Sequence, residues 1–355
     1  MLNHLFEPLV LGELQLRNRI VMAPMTRNRA QPDGVPTDAM VAYYSQRADA
    51  GLIVAEGTSP SATGQAYCRE PAIETPAQIA GWQRVTEAVH ARGGLIVLQL
   101  MHGGRIGSHH IKPKGVETVA PSALRAAGEV FTDAAGLQPY DEPRALSTGE
   151  VRAVVQEYRQ AALNARRAGF DGVELHGTSG YLPMQFLSSG CNRRSDEYGG
   201  PAANRARFAF ECLREMAQAI GTGRVGLRLN PGNTYNDTSD EDSAATHAEL
   251  MRQAAPLNLA YLHVMRAAVP EIDAFDLARQ HFGERLILND GFDAQTAEAA
   301  LIAGQGQAVS FARHFIGNPD LVRRIRDGLP LARFDRKTLY TAGAPGYSDY
   351  PPLAS

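Results

Sequence analysis

Eight short apolar runs, at 20–25, 52–57, 95–100, 172–175, 225–230, 259–264, 286–289 and 308–311, recur along the chain, most of them separated by helix-like amphipathic stretches. Strands buried on both faces lose the alternation of a half-exposed sheet, and the LIVL run at 95–98 lacks it. Eight strand–helix units joined by right-handed crossovers predict an α/β fold, a single (β/α)8 TIM barrel. Helix punctuation agrees. Thr37 stands where it can cap the helix before Gly51, Ser147 and Glu150 form a capping-box pattern, and Asp293 opens a helix ending near Gly304. Ahead of the first run, residues 9–16 read as a β-hairpin able to plug the barrel floor.

Two stretches exceed the needs of a minimal barrel: residues 103–146 after the third run and 178–200 after the fourth. Both follow strand C-termini, where barrel chemistry is located, so 103–146 reads as a lid and residues 1–355 as one domain. A formal net charge of -3 gives no reason to expect nucleic acid or a membrane surface as partner. Cys68, Cys191 and Cys212 are widely spaced with no CxxC pair, which fits a reducing compartment. Neither a signal segment nor an apolar run near the roughly 18 residues of a membrane span is evident, so the expected location is cytoplasmic.

Directly after the fourth run comes HGTSGY at 176–181, one turn carrying a histidine and a tyrosine. A tyrosine is protonated at neutral pH, with an ordinary pKa of about 10, and can give its proton to a developing carbanion while an imidazole holds a carbonyl oxygen. That pairing suggests reduction of an activated double bond. Thr26, Gly57, Gln99, His176, Arg228, Asp290 and Arg313 fall at seven strand ends and should converge at the barrel mouth, a donor set suited to a flat heterocycle. Each alone could merely satisfy nearby backbone. Barrels often hold a phosphate after strands seven and eight; Gly291 permits close approach there, Arg313 offers a bidentate charge, and Asp290 should turn its carboxylate away. The alternative for Arg313 is a surface ion pair.

These residues resemble the old yellow enzyme family of FMN-dependent ene reductases. The match rests on LRNRIVMAPMT at 16–26, QFLS at 185–188, NRRSDEYGG at 192–200 and the segment 340–351, and runs from Leu5 almost to the C-terminus. The resemblance implies that Ala23, Pro24, Met25, Thr26, Gly57, Gln99 and Arg228 line a flavin ring, and that Gly291, Ala312 and Arg313 surround its phosphate beside Asp290. It implies His176 as carbonyl anchor and Tyr181 as proton donor, with Tyr67, Tyr235 and Tyr340 lining the pocket; core packing is the alternative for the last three. NADPH, with NADH possible, would reduce bound FMN and leave, and an electron-poor alkene or nitro compound would then take a hydride from N5, giving ping-pong kinetics. No metal is implied. A monomer or homodimer is expected.

Departures from the family pattern concern substrate. Three residues after the anchoring histidine the family usually carries histidine or asparagine, whereas this chain has Ser179, whose shorter side chain leaves the second hydrogen bond to a carbonyl to be lost, run through water or be supplied elsewhere. Met101 stands where tryptophan is common and leaves a more adaptable pocket, and Ala312 replaces a glycine beside the phosphate arginine. Alternatives stay open: a nitroester or nitroaromatic reductase on the same scaffold, or a flavin-holding protein that binds phenols with little turnover. A Schiff-base lyase is disfavoured because no lysine lies at a strand end. The GTGRVG run at 221–226 precedes a strand, contrary to the dinucleotide fingerprint, and His102, His109 and His110 lack a partner ligand at metal spacing. Asn236, within a glycosylation pattern that has no secretory route, is a candidate to face the pocket.

Overall fold

The computed structural model describes residues 2–353. Strands β1 (Leu9–Leu11) and β2 (Leu14–Leu16) form an antiparallel hairpin. β3 (Ile20–Met22), β4 (Leu52–Thr58) and β5 (Ile96–Leu100) follow, then four short strands: β6 (Val119–Ala120), β7 (Glu129–Thr132), β8 (Gly136–Pro139) and β9 (Arg144–Ala145). β10 (Gly172–His176), β11 (Val225–Leu229), β12 (Tyr261–Met265), β13 (Leu286–Asn289) and β14 (Ala308–Phe311) complete the strands. β3, β4, β5 and β10 through β14 close into a parallel barrel in chain order, the (β/α)8 fold. Helices α1 (Asp38–Ser45), α2 (Pro76–His90), α3 (Thr148–Arg167), α4 (Leu182–Leu187) and α5 (Ala202–Ile220) precede α6 (Ser243–Ala254) and α7 (Ala274–His281). α8 (Ala294–Ile302), α9 (Arg313–Gly317) and α10 (Leu321–Asp327) end the series. Among the described residues no helix is long and apolar enough to cross a membrane.

Every residue of β4, β5, β10 and β11 is buried, which is why those runs carry no period of two. The first run is shorter than expected: β3 stops at Met22, and Pro24, lacking an N–H, cannot extend the ladder. Two predicted caps form as reciprocal boxes, Ser147 with Glu150 and Asp293 with Thr296. Thr37 does not cap; its hydroxyl donates to the Arg29 carbonyl (2.8 Å) instead.

Leu11, Leu14 and Leu16 of the hairpin pack against the interior residues Val21, Leu52, Val97 and Ile287, sealing the barrel floor. Gly12 makes the turn possible: at φ +59°, a Cβ there would lie 2.5 Å from the Gly223 carbonyl oxygen. That oxygen accepts from the Glu13 N–H at 2.8 Å. The glycine-rich run at 221–226 therefore anchors the plug. At the opposite end the insertion after β5 folds over the mouth, where its Ile106, Ala126, Val130 and Tyr140 pack with Met101 and Tyr181.

Candidate active site

β10 delivers His176 to the mouth, and the chain then turns sharply through Ser179 (φ +59°) and Gly180 (φ +77°). A Cβ at position 180 would come within 2.5 Å of the Tyr235 carbonyl oxygen, so only glycine fits. The turn ends at Tyr181, which precedes α4, and sets its ring edge-on to His176 at 4.8 Å between centroids. Both side chains are buried. His176 Nδ1 has no hydrogen-bond partner. Leaving a buried polar atom unbonded costs about 1–3 kcal/mol, which marks that nitrogen as one reserved for a ligand.

Burial, with Arg228 nearby, holds the His176 imidazole well below its usual pKa, so it is neutral at pH 7. Burial pushes the Tyr181 phenol well above its usual value, and the neighbouring Tyr67 adds to the shift. Its hydroxyl lies 2.9 Å from that of Tyr67. The pair is thus a hydrogen-bond-competent imidazole beside a phenol that keeps its proton. Tyr67 is fixed by Glu70, whose carboxylate accepts from the backbone N–H groups of Ala66 and Tyr67 at 2.9 Å each. From the insertion, Lys112 donates to the carbonyls of Thr63 (2.6 Å) and Gln65 (2.7 Å) and pins the same loop.

Beneath the mouth a buried polar layer joins six strands, β5 and β10 through β14. Gln99 Nε2 donates to Glu174 (2.7 Å), Glu174 bonds His263 Nδ1 (2.9 Å), and His263 Nε2 faces Ser310 Oγ (2.7 Å). Asn289 donates to Ser310 (2.8 Å) and accepts from Arg228 (2.8 Å). Burial alone would raise the Glu174 carboxyl, but His263 and Arg228 beside it hold it below the usual carboxylate range. Burial, with Arg228, takes His263 down to about 4, so it is a neutral donor to an ionised Glu174. Gln99 and Arg228 are consequently oriented from below. Sequence reasoning missed Glu174, His263, Asn289 and Ser310.

Gly57 keeps the neighbouring wall open: a Cβ there would sit 2.6 Å from Met101 Sδ. Met101 is itself buried. Replacing its flexible thioether with an indole should narrow the pocket, so Met101→Trp is expected to lower kcat/KM for bulky acceptors at least tenfold relative to small ones; an unaltered substrate profile would place Met101 outside the pocket. Thr26 is half-buried and makes no hydrogen bond to the described residues, leaving its hydroxyl uncommitted. Tyr235 (64 % exposed) and Tyr340 (60 %) do not pack in the core, which removes that alternative; Tyr67, half-buried, bonds Tyr181 instead. The Tyr235 carbonyl presses against Gly180, which puts this exposed tyrosine beside the His176–Tyr181 turn.

After β13, Asp290 (φ +79°) and Gly291 (φ +77°) turn sharply, and the exposed Asp290 takes an Arg266 hydrogen bond at its carbonyl (3.4 Å). Arg266 stacks over Phe275 (4.9 Å) and Phe292 (5.1 Å), a second cation beside Gly291 that the sequence reading overlooked. Arg313 is exposed and makes no hydrogen bond or ion pair with the described residues, so the surface-pair alternative does not describe it. Ala312 is half-buried next to it. His102 does not stand free: its Nδ1 accepts from the Gly104 N–H (3.0 Å), and burial takes it down to about 3. His109 pairs with Asp141 (2.8 Å), and no group of metal-ligating residues occurs among the described residues.

The residues present fit FMN. An unpartnered imidazole nitrogen, an uncommitted threonine hydroxyl, a glycine wall and a free guanidinium supply what a flat heterocycle and a phosphate monoester each require. A closed parallel barrel with this mouth defines a flavin-dependent oxidoreductase. The chain belongs to the NADH:flavin oxidoreductase / NADH oxidase family, which it matches over residues 4–332. It is 42% identical over 353 residues to a probable flavin mononucleotide-dependent alkene reductase of Leishmania infantum, covering 98% of this chain and 97% of that protein. It is 37% identical to 12-oxophytodienoate reductase 1 of Oryza sativa subsp. japonica over 98% of this chain and 92% of that one. Among solved structures, morphinone reductase in complex with tetrahydroNAD superposes with a TM-score of 0.94 at 46% identity, covering 99% of this chain and 98% of that one. The old yellow enzyme homologue from Zymomonas mobilis gives 0.94 at 39% identity, covering 98% and 99%.

Proposed function

We propose that the chain reduces the activated C=C bond of α,β-unsaturated carbonyl compounds at the expense of NADPH, with NADH as a weaker donor, in the cytoplasm. The observation that carries this reading is the unpartnered His176 Nδ1 beside the buried, protonated Tyr181. Bound FMN would supply the two-electron redox chemistry that links the nicotinamide to the alkene. Ala23, Pro24, Met25, Thr26, Gly57, Gln99 and Arg228 would hold its ring, and Gly291, Ala312 and Arg313 its phosphate beside Asp290. The neutral imidazole of His176 holds the substrate carbonyl oxygen, drawing electron density from the β carbon. Tyr181 delivers its phenolic proton to the α carbon and recovers one through Tyr67. Tyr67, Met101, Ser179, Tyr235 and Tyr340 shape the pocket, residues 103–146 cover it, and the chain acts as one domain, monomeric or homodimeric.

Anaerobic titration tests the assignment. The purified protein should be yellow or take up added FMN, bleach with NADPH, and recover its colour on adding an enone. Failure of an enone, a maleimide and a nitroester alike to reoxidise it would leave only a flavin-holding phenol binder. Ser179→Asn should tighten binding of phenolic ligands at least tenfold, because an amide reaches further into the mouth than a hydroxymethyl; unchanged affinity would mean the turn does not reach the carbonyl site.

A further inference from the structure

Two turns in left-handed backbone conformations press against each other at the mouth. Ser179 and Gly180 form one, and Asn236 (φ +55°) with Asp237 (φ +59°) forms the other. They are close enough that a Cβ on Gly180 would lie 2.6 Å from Asn236 Cβ. Asn and Asp adopt this backbone more readily than other side-chain-bearing residues, but as single residues; two in succession persist where surrounding contacts hold them. Those contacts come from the insertion. Arg105, itself buried, donates to the carbonyls of both Asn236 (3.4 Å) and Asp237 (2.5 Å), and Asp237 Oδ2 accepts from the Ala127 N–H (3.0 Å). This bracing aims one side chain. Asn236 Nδ2 donates to the Ser179 carbonyl at 2.8 Å.

We propose that Asn236 is the positioning residue of the acid pair, holding the His176–Tyr181 turn and the Tyr67 hydroxyl in one register. The inference rests on the ene-reductase reading. Ser179 does little of this work itself, since its hydroxyl reaches only Thr178 Oγ1 at 3.4 Å. An amide nitrogen carries two donors. One is used on the Ser179 carbonyl, which fixes the turn that carries Tyr181, and the Tyr181 hydroxyl in turn lies 2.9 Å from that of Tyr67. Position 236 thereby braces the turn from a different loop and couples proton delivery to the seating of the insertion through Arg105.

The two half-reactions separate this role from a structural one. Asn236→Gly retains the left-handed backbone and removes the amide, while Asn236→Asp keeps size and shape but sets a carboxylate against the Ser179 carbonyl. In both FMN-loaded variants, reduction by NADPH should stay within about twofold of wild type, and reoxidation by 2-cyclohexenone should slow at least about tenfold. Reoxidation within twofold of wild type in both variants, or equal slowing of both half-reactions, would overturn the assignment. Wild-type protein that cyclohexenone cannot reoxidise would instead sink the ene-reductase reading itself.

Discussion

Tyr181→Phe is expected to leave nicotinamide-driven reduction of bound FMN within about twofold of wild type while slowing enone-driven reoxidation by about 10²–10⁴-fold, the range of a well-placed general acid. The split follows from position. In the proposed mechanism the lost hydroxyl would donate to an alkene carbon, a step absent from reduction by the nicotinamide, and the phenylalanine ring preserves the edge-on contact with His176. Burial and Tyr67 raise the Tyr181 phenol, so its proton-donating form persists above the ordinary tyrosine pKa. Wild-type reoxidation should therefore stay level from neutral pH to at least about pH 10. Stopped-flow traces of both half-reactions decide the matter; equal losses would show that the tyrosine serves packing alone.

Arg228→Leu should cost the protein its flavin and much of its stability. Arg228 is 6 % exposed; its guanidinium bonds Asn289 at 2.8 Å and is the cation that offsets ionised Glu174, since His263 is neutral. Removing one partner of a buried charge pair typically costs about 3–5 kcal/mol, because the other is left uncompensated. Arg228→Lys isolates the binding contribution: it keeps the charge, but an ammonium lacks the planar fork that spans two acceptors. FMN affinity in that variant should fall at least tenfold, and the flavin potential should become more negative, both measurable by fluorescence and reductive titration. Unchanged affinity and potential would place Arg228 away from the ring.

The barrel was legible because its strands are buried on both faces, which writes uninterrupted apolar runs into the chain, and because Ser147 and Asp293 announce helix starts within four residues. His176 and Tyr181 were legible because one turn holds both. The polar layer of Glu174, His263, Asn289 and Ser310 was not, since its members are neighbours only across strands and stand 21 to 89 residues apart in the bonds that join them. A signal existed: each is a polar residue inside or ending an otherwise apolar run, as in GVELH, YLHVM, LILN and AVSF. Asn236 and Arg105 left a weaker trace. Their function depends on backbone geometry and on how the insertion folds back, neither of which residue spacing encodes. Thr37 misled because its hydroxyl had a better acceptor eight residues upstream, in Arg29.

With Leu11, Leu14 and Leu16 filling the far end of the barrel, the proposed mechanism gives electron donor and electron acceptor a single doorway to share. Each must depart before the other can enter, so an excess of either one should inhibit by occupying the wrong oxidation state of the protein. Throughput would then peak at an intermediate acceptor concentration and decline beyond it.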